Sequence, residues 1–127
     1  MMKLLLIDDD AFLRDMYAIK FTEAGYEVEV ADGAVAALAK IERNPDIDII
    51  LLDMVMPGMG GVELIQEINQ QFPDLKALCI VLSNQGQATD VKAAKAAGAA
   101  GYIIKAETVP SEVVRKVETL AKKKTKK

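Results

Sequence analysis

Leu4-Leu5-Leu6-Ile7-Asp8-Asp9-Asp10 sets four consecutive apolar residues directly against three carboxylates. A short apolar run without polar alternation suits a strand of a parallel sheet that is covered by helices on both faces. Runs of the same kind recur from Ile47 to Leu52, from Ala77 to Leu82 and from Tyr102 to Ile104, and they end on Asp53, Ser83 and Lys105. The segment Tyr26 to Ala31 differs, because Val28 and Val30 alternate with Glu27 and Glu29. That alternation predicts a half-exposed strand at the sheet edge.

Helical patterns fill the intervals. The first carries Leu13, Met16, Tyr17, Phe21 and Ala24 on one stripe before Gly25 ends it. A second spans Gly33 to Glu42, with Val35, Leu38 and Ile41 inward and Asn44-Pro45 as its stop. The third runs from Gly61 to Phe72 with Leu64, Ile65 and Ile68 facing in, and an alanine-rich fourth, Ala88 to Ala97, closes at Gly98. The last opens near Pro110 and presents Val113, Val114, Val117 and Leu120. Such alternation of strand and helix calls for a parallel sheet with right-handed crossovers, a doubly wound α/β fold. In these sheets ligands collect outside the carboxyl ends of the strands, where strand order reverses.

At 127 residues the chain has the size of one compact domain, expected over 1–121, with 122–127 as a basic, frayed tail. Hydrophobic residues make up 51% and charged residues 28%, a globular balance. A net charge of -3 gives no reason to expect nucleic acid as a direct partner. No apolar run is long enough to span a bilayer, so membrane insertion is not expected and a cytoplasmic location is the simplest reading. One cysteine, Cys79, excludes an internal disulfide and reads as a small buried hydrophobe. With no histidine, the chain can hold neither a serine-histidine-aspartate triad nor a histidine-ligated zinc.

The strand ends give a short set of chemically active side chains: Asp8 and Asp9, Asp53, Ser83 and Lys105. Taken singly, each has an ordinary reading as a turn residue, a cap or a surface charge. The inferred topology brings them together, since neighbouring parallel strands lie about 5 Å apart. Three carboxylates in one place repel unless something positive sits among them, and a hard divalent cation with oxygen ligands meets that need. Phosphoryl transfer demands in-line positioning and neutralised equatorial oxygens. In that chemistry Asp53 is the nucleophile that forms an acyl phosphate, Asp8 and Asp9 hold the cation, Lys105 pairs with the carboxylate and then the phosphoryl group, and the Ser83 hydroxyl donates to a phosphoryl oxygen.

Leu-Leu-Ile-Asp-Asp-Asp at 5–10, Leu-Leu-Asp-Met-Val-Met-Pro-Gly-Met-Gly-Gly at 51–61 and Gly-Tyr-Ile-Ile-Lys at 101–105 make the chain resemble the receiver domain of two-component response regulators, including the stand-alone chemotaxis type. The resemblance covers nearly the whole chain. It implies a flavodoxin-like five-stranded sheet of order 2-1-3-4-5, phosphorylation of Asp53 by a histidine kinase or histidine phosphotransfer protein, and magnesium or manganese held by Asp8, Asp9, Asp53 and the Val55 carbonyl, with Asp9 a direct ligand. It also implies that Ser83 and Tyr102 form a switch. When Ser83 is drawn to the phosphoryl group, the Tyr102 ring fills the space it leaves and changes a surface that binds a downstream protein target. On this reading the protein is a signalling phosphoacceptor rather than an enzyme acting on other substrates.

Two departures from the family pattern stand out. Ala106 occupies the place after the lysine where the family has proline, often with a cis peptide bond. A cis bond before a non-proline residue costs about 3 kcal/mol, so a trans bond and a differently aimed Lys105 are expected. Asn84 stands where a small residue is common and is placed to influence entry of water or donor. Two rival readings remain: a haloacid dehalogenase-like phosphatase with Asp8 as nucleophile, against which Phe12 and the short length speak, and a phosphorylation-independent binding platform, against which the intact acidic set speaks.

Overall fold

The computed structural model describes residues 2–84 and 86–125. Five strands alternate with five α-helices: β1 Lys3–Ile7, α1 Ala11–Glu23, β2 Glu27–Ala31, α2 Ala34–Arg43, β3 Ile49–Leu52, α3 Gly61–Gln71, β4 Leu78–Ser83, α4 Ala88–Ala97, β5 Gly101–Ile104 and α5 Pro110–Thr125. A single 3₁₀ turn, Lys105–Glu107, follows β5. All neighbouring strands pair in parallel, in the order β2-β1-β3-β4-β5. This is the doubly wound sheet that the alternation of elements predicts, in the flavodoxin-like order that the resemblance implies.

The sheet separates two apolar layers through the two-residue period of its strands. Leu5, Ile7, Ile50, Leu52 and Val81 point to α2, α3 and α4, where they meet Ala37, Ile41, Leu64, Ile65 and Ile68. Leu4, Leu6, Ile49, Leu51, Ile80, Leu82 and Ile103 point to α1 and α5, where they meet Tyr17, Phe21, Val113 and Val117. Because both faces are covered, the central strands can be continuously apolar. β2 lies at the edge as expected, with Val28 packed against the second layer and Val30 exposed.

Three local expectations are corrected. Val35 is 86% exposed rather than inward. The inward stripe of α2 runs through Ala34, Ala37, Leu38 and Ile41, and Val35, six residues before Ile41, lies about 120° away from it around the helix. Ala24 is the exposed C-cap of α1 instead of the end of its buried stripe. Finally, α5 continues to Thr125, four residues into the stretch expected to fray. Lysines near a helix C-terminus complement the helix dipole, which favours this extension. The last two tail residues fall outside the described ones.

α4 is held differently from the other helices. Its buried residues are Ala94 and Ala97, both in its C-terminal half. There the Asn69 side chain donates to the Ala97 carbonyl at 2.9 Å, and Gly98 caps the end in the left-handed region at φ 114°. No described side chain from Ala88 to Ala93 is fully buried.

Candidate functional site

Ile7 pairs with Leu52 and Ser83 with Ile104, so the parallel register delivers Asp8, Asp53 and Lys105 to the same edge of the sheet, each one residue past a paired strand end. Backbone bonds extend the register by that residue: the Asp8 amide donates to Ala31 O at 3.1 Å and the Asp53 amide to Ile7 O at 3.2 Å. Asp8 and Asp53 continue the strand parity of the residues that face α1 and α5.

Lys105 closes the cluster. Its ammonium donates to Asp8 Oδ2 at 2.7 Å and to Asp53 Oδ2 at 3.1 Å, with the lysine side chain 6% exposed and the two carboxylates 2% and 14%. The Asp8 Oδ1 atom accepts the Asp10 amide at 3.0 Å, and Asp53 Oδ1 accepts the Val55 amide at 3.3 Å. Asp9 is exposed at the rim, and one oxygen from each of Asp8, Asp9 and Asp53 lies within 4.8 Å of the others. Three hard carboxylate donors so close together fit a magnesium-type cation. The peptide bond after Lys105 is not cis, as no described one is, yet the lysine reaches both carboxylates.

Burial works to lower the Lys105 pKa, but the hydrogen bond the ammonium donates to Asp8 and the charges of Asp53 and Asp8 outweigh it and hold the group above its ordinary 10.5. A raised pKa contributes stability that is complete below the ordinary value and is lost as pH rises through the raised one. Tyr17, Tyr26 and Tyr102 act in the same direction, each pushed above 10.0 chiefly by burial. Metal-free protein unfolded in urea at stepped pH is accordingly expected to lose midpoint concentration once the pH passes about 10.

The loop after β3 is fitted tightly to α3. A Cβ on Gly61 would stand 2.5 Å from the Asp53 carbonyl oxygen and 2.9 Å from Met54 Cα, and the Gly61 amide already donates to Met54 O at 2.8 Å. Gly61→Ala must push the Asp53 backbone away from the helix, and a loss of about 1–3 kcal/mol is expected in urea denaturation.

Ser83 and Tyr102 occupy the opposite parity. Ser83 is buried at the end of β4, and Tyr102, half-buried on β5, packs against the layer beneath α3 and α4. A side-chain hydrogen bond joins the two, and Asp53 is close enough for its charge to act on the phenol. Tyr102 thus has the polar partner that its sequence position alone does not reveal. Asn84 follows on the surface, exposed.

Two residues of α1 near the cluster are given no part in the site by the sequence, which places Tyr17 only on the apolar stripe of that helix. Arg14 Nη1 donates to the Asp8 carbonyl at 3.0 Å. Tyr17, one turn further along α1, is 3% exposed, and its phenol feels both Lys105 and Asp8. Their spacing of three on α1 is the available signal, and it looks like ordinary amphipathic packing.

Three clustered carboxylates and a lysine thus lie at the carboxyl edge of a sheet of order 2-1-3-4-5. The response regulator receiver domain model matches residues 4–118, and the chain belongs to that family. Among similar proteins, the chemotaxis protein CheY of Thermotoga maritima is 38% identical over 122 residues, covering 94% of this chain and 98% of that one. Chemotaxis protein CheY of Bacillus subtilis is 34% identical over 122 residues, covering 94% and 95%. The fold is shared with the CheY-like receiver domain protein of Methanospirillum hungatei, at TM-score 0.88 and 28% identity over 99% of this chain and 98% of that one. It is shared too with the CheX-CheY-BeF3-Mg+2 complex from Borrelia burgdorferi, at TM-score 0.84 and 27% identity over 94% and 88%. The chain is therefore a response regulator receiver domain of two-component systems, similar to CheY chemotaxis proteins.

Proposed function

We propose that the protein is a phosphoacceptor that takes a phosphoryl group onto Asp53 from a histidine kinase or histidine phosphotransfer protein, loses it by hydrolysis, and signals by binding a downstream protein. The observation that carries this reading is the Lys105 ammonium bonded to both Asp8 and Asp53, with Asp9 beside them. Asp8, Asp9, Asp53 and the Val55 carbonyl would hold a magnesium or manganese ion, which supplies charge neutralisation for the incoming phosphoryl oxygens. The Borrelia relative, solved with BeF3 and Mg+2, supports that choice.

Attack by an Asp53 carboxylate oxygen forms the acyl phosphate and expels the donor's imidazole. Lys105 can then follow the negative charge from the carboxylate to the phosphoryl group, and the Ser83 hydroxyl can turn from Tyr102 to a phosphoryl oxygen. Release of that hydrogen bond lets the Tyr102 ring move, altering the groove of about 520 Å³ that Tyr102 lines with Glu112, Arg115, Lys116, Thr119 and Leu120 of α5. The output is a protein-binding surface in the cytoplasm, and the only chemistry is the domain's own phosphorylation and dephosphorylation.

Asp8 is the less accessible nucleophile, its side chain 2% exposed against 14% for Asp53. Beryllofluoride, which attaches to the phosphoacceptor carboxylate, tests the whole reading. In a crystal structure with magnesium it is expected on Asp53, with Tyr102 moved off Ser83. Attachment to Asp8 would establish the phosphatase-like alternative, and an unmoved Tyr102 ring would remove the switch.

A further inference from the structure

We infer that Arg14 is a positioning residue that aims Asp8 and Asp9 at a common cation by fastening the β1–α1 turn to the first turns of α1. The inference rests on the magnesium reading above and concerns a residue to which that reading gives no part. Asp8 is fixed at four points: its amide to Ala31 O, its Oδ1 to the Asp10 amide, its Oδ2 to Lys105 and its carbonyl to Arg14. Asp10, in turn, caps α1 by accepting the Leu13 amide at 3.1 Å. The turn that carries Asp9 is thus joined to α1 at both of its flanks, by Asp10 through Leu13 and by Asp8 through Arg14.

The direction of the guanidinium is informative. Among the described residues Arg14 forms no ion pair with a carboxylate, although its guanidinium reaches the backbone of Asp8, one of the three clustered carboxylate residues. Its donor goes instead to a backbone carbonyl, an interaction that orients the chain rather than neutralising the cluster. Tyr17, buried three residues on, lies under the same cluster, so this side of α1 acts as the floor of the site.

Charge and orientation make opposite predictions, and that decides the test. A guanidinium near a cation site repels the cation, so if charge were its main effect, removing it would tighten binding. If Arg14 acts by orientation, removing it loosens binding, as loss of an outer partner of metal ligands typically does, by 10- to 100-fold. Magnesium binding to the full chain is measured by isothermal titration calorimetry for the wild type, Arg14→Met, Arg14→Lys and Asp9→Asn. The expected result is about tenfold weaker binding for Arg14→Met, and partial rescue in Arg14→Lys, which keeps the charge and a donor. Arg14→Met binding magnesium as tightly as the wild type, or more tightly, overturns the inference and leaves the functional reading standing. A wild type whose magnesium binding is absent, or is unaffected by Asp9→Asn, overturns the functional reading and this inference with it.

Discussion

Asp53→Asn is expected to abolish labelling by acetyl phosphate, with the rate falling on the order of a thousandfold or more. An amide has no anionic oxygen to attack phosphorus, and no neighbouring carboxylate can take over. Asp8 is closed off, 2% exposed against 14% for Asp53, and Asp9 lies on the rim outside the Lys105 bridge. The measurement is incorporation of radiolabelled phosphoryl group from acetyl phosphate, with and without magnesium. Wild-type labelling should require the ion, and undiminished labelling of the variant would remove Asp53 from its central place. Because the introduced amide oxygen can still accept a hydrogen bond from Lys105, the variant should remain folded, so lost labelling reports chemistry.

Lys105→Met should have the largest effect on stability. Removing one partner of a buried ion pair leaves an uncompensated charge, at a cost of about 3–5 kcal/mol. Here two carboxylates are left facing each other, one of them 2% exposed. Metal-free variant protein is expected to unfold at much lower urea, and magnesium should restore much of the loss, since a cation bound by the folded state stabilises it with the logarithm of its concentration over Kd. With the competing ammonium gone, that affinity should rise. A variant as stable as the wild type without metal would show that the Asp8–Lys105–Asp53 bridge contributes little.

The sheet is legible in the sequence because four apolar runs end at polar residues and each run is too short for anything but a strand. Once the strands are parallel, register does the rest, which is why Asp8 and Asp53 can be brought together from positions far apart in the chain. Helix faces are less legible where small residues dominate. In α2, alanines occupy most of the inward stripe, so the larger Val35 draws attention to the wrong side. Arg14 escapes notice because its partner is a carbonyl, and every residue has one. The Ser83–Tyr102 bond joins β4 to β5 through side chains, and apolar patterning carries no trace of it. Lys105 shows a limit of another kind: Ala106 suggests a change in its aim, and only the structure shows that the ammonium reaches both carboxylates with no cis bond beside it.

The attachment of α4 has a mechanical consequence. With its buried alanines and the Asn69 clasp in its C-terminal half, this helix resembles a cantilever anchored at one end. Deflecting its first turns would uncover little apolar area, so the restoring force there is weak. Firm chemistry and a compliant lever thus coexist in one small body, with the stiff central strands between them.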